Sequence, residues 1–272
     1  MPGGLIFRAR QIRTGDKTMA DEKGIALVTG GARRIGRAIV EDLAKNGFAV
    51  AIHCRNSVGD ADELAGRIRA QGGRAAVVTA DLADLDAARA LPGLAAAALG
   101  PLTLLVNNAS IFEADGIGDL DVERFQRQST VNLAAPVFLA DAFAAQLPAD
   151  REGLVVNMVD QRAWKTTPQF LSYQLSKSGL LTATRTLAQA LAPRIRVNAI
   201  GPGPTLPSPR QDPAEFQKQA EAVLLKHGPE LGEFGRTIRY LYETRSITGQ
   251  MIALDGGQHL AWETPDIVGI NE

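Results

Sequence analysis

From residue 24 onward the chain alternates between short runs of apolar, often β-branched residues and longer alanine-rich stretches. The predicted strands are IALVT (25–29), AVAIH (49–53), AAVVT (75–79), LTLLVN (102–107), LVVNM (154–158), RVNAI (196–200) and MIALD (251–255). These runs are apolar throughout rather than alternating, which suits strands buried on both faces of a parallel sheet. A stretch long enough for a crossover helix follows each of the first six. The pattern predicts an α/β fold, a single doubly wound parallel sheet of about seven strands with helices on both faces. One insert breaks the rhythm: GPGPTLPSPRQDPAEF (201–216), whose five prolines forbid a continuous helix or central strand. It falls just past a strand's carboxyl end, where such sheets bind ligands, and a substrate lid is expected around 204–236.

Composition narrows the function classes. A chain of 272 residues with 45% hydrophobic content can bury one substantial core. The net charge of −1 gives no reason to expect a nucleic-acid or membrane partner. The single cysteine, Cys54, excludes a disulfide framework and a thiolate zinc cluster. His53, His227 and His259 lie far apart and form no HExxH, so no metal site is expected. No apolar run reaches the roughly 18 residues of a membrane span. A soluble, cytoplasmic protein is the expectation. Residues 1–22 are basic at first and lack a signal-peptide pattern; they are expected to be a disordered extension ahead of one domain over 23–272.

Candidate chemistry begins with LVTGGARRIGRA (27–38), a strand, a glycine turn and a helix start. Glycines there let the backbone approach a pyrophosphate, and the helix N-terminus offers free N–H groups. Nucleotide hydrolysis is excluded because Arg37 and Ala38 stand where Lys and Ser/Thr are required. A dinucleotide site predicts a residue at the end of the second strand that chooses the cofactor. An acid there would bond the ribose of NAD. This chain has His53-Cys54-Arg55-Asn56-Ser57 instead, and Arg55 with Ser57 and Arg33 fits the 2′-phosphate of NADPH. The alternative is that Arg55 merely starts a solvated loop.

Only three tyrosines occur, and only Tyr173 has a lysine, Lys177, four residues later. On a helix both would share a face, and the ammonium would lower the phenol's pKa. Alone, the spacing also fits an ordinary surface pair.

Together these motifs resemble the short-chain dehydrogenase/reductase family over residues 24–262. The matching elements are Thr29 to Gly36, Asp81-Leu82, Asn107-Asn108-Ala109-Ser110, Asn132, Tyr173 with Lys177, Gly201-Pro202-Gly203 and ITGQMIALDGG (247–257). The resemblance implies a Rossmann-type fold and hydride transfer to or from NAD(P). It implies Tyr173 as proton donor, Lys177 as its activator and ribose anchor, and Asn132 in a proton relay. Cofactor contacts are expected from Gly30, Arg33, Arg34, Ile35, Gly36, His53, Arg55, Asn56, Ser57, Asp81, Leu82, Asn108, Ala109, Ser110, Tyr173, Lys177, Pro202 and Gly203. Relatives commonly form tetramers, so a homotetramer is expected.

One position departs from the family. Thirteen residues before the tyrosine, where a serine is usual, stands Asp160. An ionised carboxylate has no donor for a substrate carbonyl, but it suits a substrate presenting N–H groups or a C=N bond. The departures are similar to those of the pteridine and dihydromonapterin reductases. There an arginine replaces the central loop glycine, matching Arg34, and an aromatic two residues after Asn-Ala-Ser stacks on the pterin, matching Phe112. Arg34, Ser110, Phe112, Asp160 and Tyr173 are therefore the expected substrate contacts of an NADPH-dependent pterin reductase acting on dihydromonapterin, dihydrobiopterin or a dihydrofolate-like molecule. Trp164 either lines the pocket or packs against the lid. Rival readings are an NADPH-dependent reductase of a carbonyl such as a 3-oxoacyl thioester, which Asp160 opposes, and a cofactor-binding sensor without turnover. A nucleic-acid binder using the basic N-terminal arm is the remotest.

Overall fold

The computed structural model describes residues 23–207 and 211–269. The expected N-terminal extension thus lies outside the described residues.

Seven parallel strands form one sheet in the order β3-β2-β1-β4-β5-β6-β7. They are β1 (Gly24–Val28), β2 (Phe48–Cys54), β3 (Ala75–Thr79), β4 (Leu104–Asn107), β5 (Gly153–Met158), β6 (Ile195–Pro202) and β7 (Met251–Leu254). All residues of β2, β4 and β5 are buried, which is why those runs lack alternation. β4 starts later than its apolar run predicts, because Leu102 gives its N–H to the Gln146 side chain (2.8 Å).

Helices cover both faces. α1 (Arg34–Lys45), α2 (Val58–Ala70) and α8 (Leu231–Glu243) close one core around Ile39, Leu43, Leu64, Phe234 and Ile238. α3 (Leu85–Leu99), α5 (Ala135–Gln146) and α6 (Leu171–Leu191) close the other around Leu91, Leu105, Leu139 and Phe143. α8 is tied to α1 by Arg239 and Asp42 at 2.7 Å. It therefore belongs to the wall of the domain, and the expected lid is shortened at its end. What remains between β6 and α8 is the proline-rich stretch and α7 (Pro213–Glu221), which buries no residue. α7 begins on proline because the first helical position has no N–H to lose.

α4 (Val122–Ser129) runs into α5 through a π-helical turn, Thr130–Ala134. Such turns widen the backbone spiral locally and are frequent at functional sites. This one carries Asn132. Strand order reverses between β1 and β4, so the loops after them diverge and open a crevice at the sheet's carboxyl edge.

Candidate active site

The loop after β1 is fixed from below. Thr29 Oγ1 donates to the Val106 carbonyl and accepts from the N–H groups of Asn108 and Ala109 (2.9 and 3.0 Å). Asn108 Nδ2 donates to the Thr29 carbonyl at 2.8 Å. His53 is buried; its Nδ1 accepts from the Gly30 N–H (3.2 Å) and its Nε2 faces the Ala80 carbonyl (3.1 Å). That pairing requires the proton on Nε2, and burial lowers its pKa to about 4, so the ring is neutral. His53 thus shapes the glycine loop from beneath. At Gly36 a Cβ would stand 2.1 Å from the Gly30 carbonyl oxygen, a closeness only glycine allows.

Above this loop lies a cleft of about 420 Å³. Gly30, Arg33, Arg34, Ile35, Gly36, His53, Arg55, Asp81, Leu82, Asn108, Ala109 and Ser110 line it, as do Ala80, Ile111 and Val131. Asn56, Ser57, Tyr173, Lys177, Pro202 and Gly203 are not among its walls. The two arginines expected at a 2′-phosphate are engaged: Arg33 with Asp60 at 2.6 Å, Arg55 with Asp81 at 3.7 Å. Both pairs are half-exposed and worth about 0–1 kcal/mol, little enough to be exchanged for a phosphate. A cleft with glycine walls and exchangeable cations in its lining fits a dinucleotide.

Arg34 stands where a loop of this shape favours glycine and keeps a left-handed φ of 53°, a strained choice for an arginine. Its guanidinium donates to the carbonyls of Leu206 and Pro207 (3.0–3.4 Å). It lines the cleft and at the same time ties the glycine loop to Leu206 and Pro207.

At the crevice floor, Tyr173 Oη donates to Asp160 Oδ2 at 2.8 Å. Asp160 Oδ1 accepts from the Arg162 N–H (2.8 Å), capping a short 3₁₀ turn, Gln161–Ala163. Lys177 is buried and donates to the Met158 carbonyl at 2.7 Å, with Nζ 5.6 Å from the Tyr173 ring centre. Burial lowers its pKa to about 8 against the opposing pull of Asp160. The phenol does not become more acidic, as its spacing to Lys177 suggests. Burial first, then the Asp160 carboxylate, push the Tyr173 pKa well above its usual value. Lys177 does not offset this, because the phenol's hydrogen-bond partner is Asp160. Tyr173 therefore holds its proton at neutral pH.

Asn132 is fully buried and spends its side chain on structure. Its Oδ1 accepts from Ile111 N–H (2.8 Å) and Ser110 Oγ (3.1 Å), and its Nδ2 donates to the Ile111 carbonyl and Ser176 Oγ. It thereby pins the strand-four loop, which carries Phe112, against α6.

Three residues of the crevice had no sequence signal. Asp115 accepts from the Ser172 N–H (3.1 Å) and the Ser172 hydroxyl, holding the start of α6 beneath Tyr173. Phe170, left-handed at φ 56°, stacks on Phe112 at 4.4 Å and 17°. Tyr173 meets Phe112 edge-on at 4.7 Å. Arg162 lies 5.5 and 5.2 Å from the centres of the Phe112 and Phe170 rings. Its guanidinium makes no hydrogen bond or ion pair among the described residues, and Nη1 is buried without a partner. A cation–π contact offers about 0.5–1 kcal/mol. An unmet buried N–H costs about 1–3 kcal/mol. The rings alone do not account for this arginine. Trp164 contacts His259 (ring centres 4.9 Å apart) and remains 43% exposed, so it sits at the crevice lip. Among the described residues no cluster of His, Cys, Asp or Glu could hold a metal ion.

The geometry has counterparts among known proteins. The profile of the short chain dehydrogenase family matches residues 24–218. FolM alternative dihydrofolate reductase 1 from Brucella canis, crystallised with NADP, is 59% identical; the match covers 91% of this chain and 98% of that one, with a TM-score of 0.89. The Brucella suis protein of the same name, also in complex with NADP, is 60% identical over 90% of this chain and 99% of that one, TM-score 0.89. The 3-oxoacyl-[acyl-carrier-protein] reductase FabG of Staphylococcus aureus is 28% identical over 86% of this chain and 98% of its own length.

Proposed function

The chain belongs to the short-chain dehydrogenase family, and on that premise we propose that it is an NADPH-dependent reductase of pterin-type substrates. The observation that carries the reading is the hydrogen bond from Tyr173, which meets Phe112 edge-on, to the half-buried Asp160. A carboxylate at that place serves a substrate with N–H groups and a C=N bond better than it serves a ketone. The much higher identity to the two NADP-bound reductases than to FabG agrees.

When bound in the cleft, NADPH supplies the hydride. The walls from Gly30 to Gly36 and from Asn108 to Ser110 would hold the dinucleotide, and Asn56, Ser57, Pro202 and Gly203 are its further proposed contacts. Arg33 and Arg55 would exchange Asp60 and Asp81 for the 2′-phosphate. Lys177, still largely an ammonium at neutral pH, has protons beyond the one given to Met158 and would offer them to the ribose. Tyr173 gives its proton to the ring nitrogen whose double bond is reduced. Asp160 aims that phenol and accepts from the substrate's N–H groups, while Phe112 and Ser110 bound the ring. Asn132 acts by positioning the Ser110–Phe112 loop, and Arg34 by fastening Leu206 and Pro207 beside the cleft. The reading extends to a homotetramer, for which Val122, Phe125 and Phe138 leave an apolar face exposed on α4 and α5. It extends also to a cytoplasmic setting, which the single buried cysteine suits.

The test is NADPH consumption by the purified protein with 7,8-dihydrobiopterin, 7,8-dihydromonapterin, 7,8-dihydrofolate and a 3-oxoacyl thioester. Turnover of the pterins supports the reading. Turnover of the thioester alone replaces it with a carbonyl reductase.

A further inference from the structure

Proton donation by Tyr173 raises an electrostatic problem that the geometry of the site makes severe. The hydroxyl donates to Asp160 Oδ2 at 2.8 Å. When its O–H bond breaks and the proton passes to the substrate's ring nitrogen, the electron pair stays on the phenolic oxygen. Two anions then face each other across the span of a hydrogen bond with no proton between them, and Tyr173 is only 7% exposed. Two carboxyl groups this close cannot both ionise readily, and a phenolate beside a carboxylate meets the same repulsion. A nearby cation has to offset the second charge.

The positive groups of the crevice narrow to one. Arg33 and Arg55 are paired with Asp60 and Asp81, and Arg127 with Glu113. Arg34 is held by the Leu206 and Pro207 carbonyls. Lys177 donates to the Met158 carbonyl and lies over the Tyr173 ring, 5.6 Å from its centre, without a hydrogen bond to its oxygen. Arg162 has no such commitment. Its backbone N–H is held by the other oxygen of Asp160, at 2.8 Å, so it is fixed to the carboxylate that aims the phenol. Its guanidinium rests 5.5 and 5.2 Å from the centres of the Phe112 and Phe170 rings, and Phe112 meets Tyr173 edge-on at 4.7 Å. The charge therefore stands one ring away from the phenol, across apolar carbon that screens it poorly. Its Nη1 is buried without a partner, while the other carboxylates nearby are engaged: Asp115 with Ser172, Glu113 with Arg127, Asp255 with His259. Burial first, then Asp160, push the phenol's pKa up, and Arg162 is the charge that pulls it down. A guanidinium suits this place because it stays charged throughout the working pH range.

We infer that Arg162 is a positioning residue for charge, whose guanidinium offsets the negative charge of the Tyr173–Asp160 pair as the phenol releases its proton. Asp160 aims the hydroxyl, and Arg162 counters the repulsion that this aiming brings. Lys177, turned to Met158, leaves that part to the arginine. Arg162 acts through the pair and neither gives nor takes the proton, which Tyr173 afterwards regains from solvent. The inference rests on the reading of Tyr173 as proton donor and adds the group that makes donation beside a carboxylate feasible.

The experiment measures kcat, KM and the solvent deuterium isotope effect on kcat, with NADPH and 7,8-dihydrobiopterin, in wild type, Tyr173→Phe, Arg162→Met, Arg162→Gln and Arg162→Lys. Arg162→Met and Arg162→Gln are expected to lower kcat about tenfold with KM within about twofold, and to raise the isotope effect because proton transfer has slowed. Arg162→Lys is expected to recover most of the loss, since it returns the charge. A second reading needs no turnover: adding Arg162→Met to Asp160→Asn should move the Tyr173 titration, followed by tyrosinate absorbance, upward by about one pH unit. An unchanged kcat in Arg162→Met, or an equal loss in Arg162→Lys with the isotope effect unmoved, overturns the inference; if Tyr173→Phe is inactive, the proton-donor reading still stands. Tyr173→Phe with the kcat of wild type overturns both. An unmoved tyrosine titration overturns the inference even in a protein that leaves the pterin unreduced.

Discussion

Replacing Asp160 by asparagine keeps the side chain's size and removes its charge, which isolates what the carboxylate does for Tyr173. In the native site Asp160 uses two oxygens, one for the Tyr173 hydroxyl and one for the Arg162 N–H, both at 2.8 Å. Asparagine has a single acceptor, so one of those donors must lose its partner. If the phenol keeps the oxygen, its hydrogen bond changes from charge-assisted to neutral. Charged bonds contribute about 1.5–3 kcal/mol and neutral ones about 0.5–1.5, so the difference is about 1–2 kcal/mol. The phenol releases that bond as its proton leaves, so what the variant loses is the aim of the hydroxyl, and a loss of that size in aim lowers kcat about five- to thirty-fold. The turn that Asp160 caps would lose up to about 1 kcal/mol of stability. The variant carries a second signature. Two of the causes that raise the Tyr173 pKa are the charge and the hydrogen bond of Asp160, with burial the larger remaining one. The phenol should therefore titrate at lower pH in the variant, visible as tyrosinate absorbance in an alkaline titration. A variant within twofold of wild-type kcat, with an unchanged tyrosine titration, would refute the assignment of Asp160 as the group that aims Tyr173.

Gly36→Ala places a methyl group 2.1 Å from the Gly30 carbonyl oxygen and 2.6 Å from Asn108 Nδ2, so the loop must shift. NADPH affinity measured by fluorescence titration should fall about tenfold or more, with overpacking costing about 1–3 kcal/mol of stability; unchanged affinity would contradict the loop's role. His53 has its pKa lowered from 6.5 to about 4 in the folded protein, so the folded state binds fewer protons than the unfolded one between those values. Stability is then fully present above pH 6.5 and is lost as pH falls through about 4, by about 3 kcal/mol in all. Denaturant unfolding across that window should show the slope, and His53→Gln should flatten it; an identical slope in the variant would assign it elsewhere. Lys177 loses its proton near pH 8, so kcat/KM should decline above that value. A profile flat through the alkaline range would show that its charge is not used.

Much of this was legible because it is local. Apolar runs without alternation announce buried parallel strands, and the predicted and observed strands agree except at their ends. The glycine loop, Asp160 and Tyr173 were visible as spacings and residue types within one element or two adjacent ones. What escaped was set by packing between distant segments. Arg34 was readable as a cation in the loop, but its partners, Leu206 and Pro207, lie more than a hundred residues away. Asp115 and Phe170 acquire meaning only when the strand-four loop is laid against the start of α6. The acidity of Tyr173 is set first by burial and then by Asp160, neither of which the helical spacing to Lys177 shows. α8 had the composition of any amphipathic helix, so only its seat on α1, through Asp42 and Arg239, removes it from the lid.

The central claim is that hydride passes from NADPH to a pterin ring in this site. The most direct test is to supply NADPH deuterated on the transferable position with 7,8-dihydrofolate and weigh the product. The account predicts a tetrahydrofolate carrying deuterium, formed one for one with NADP, and no label without the protein. An unlabelled product, or cofactor oxidised with the pterin unchanged, would contradict it.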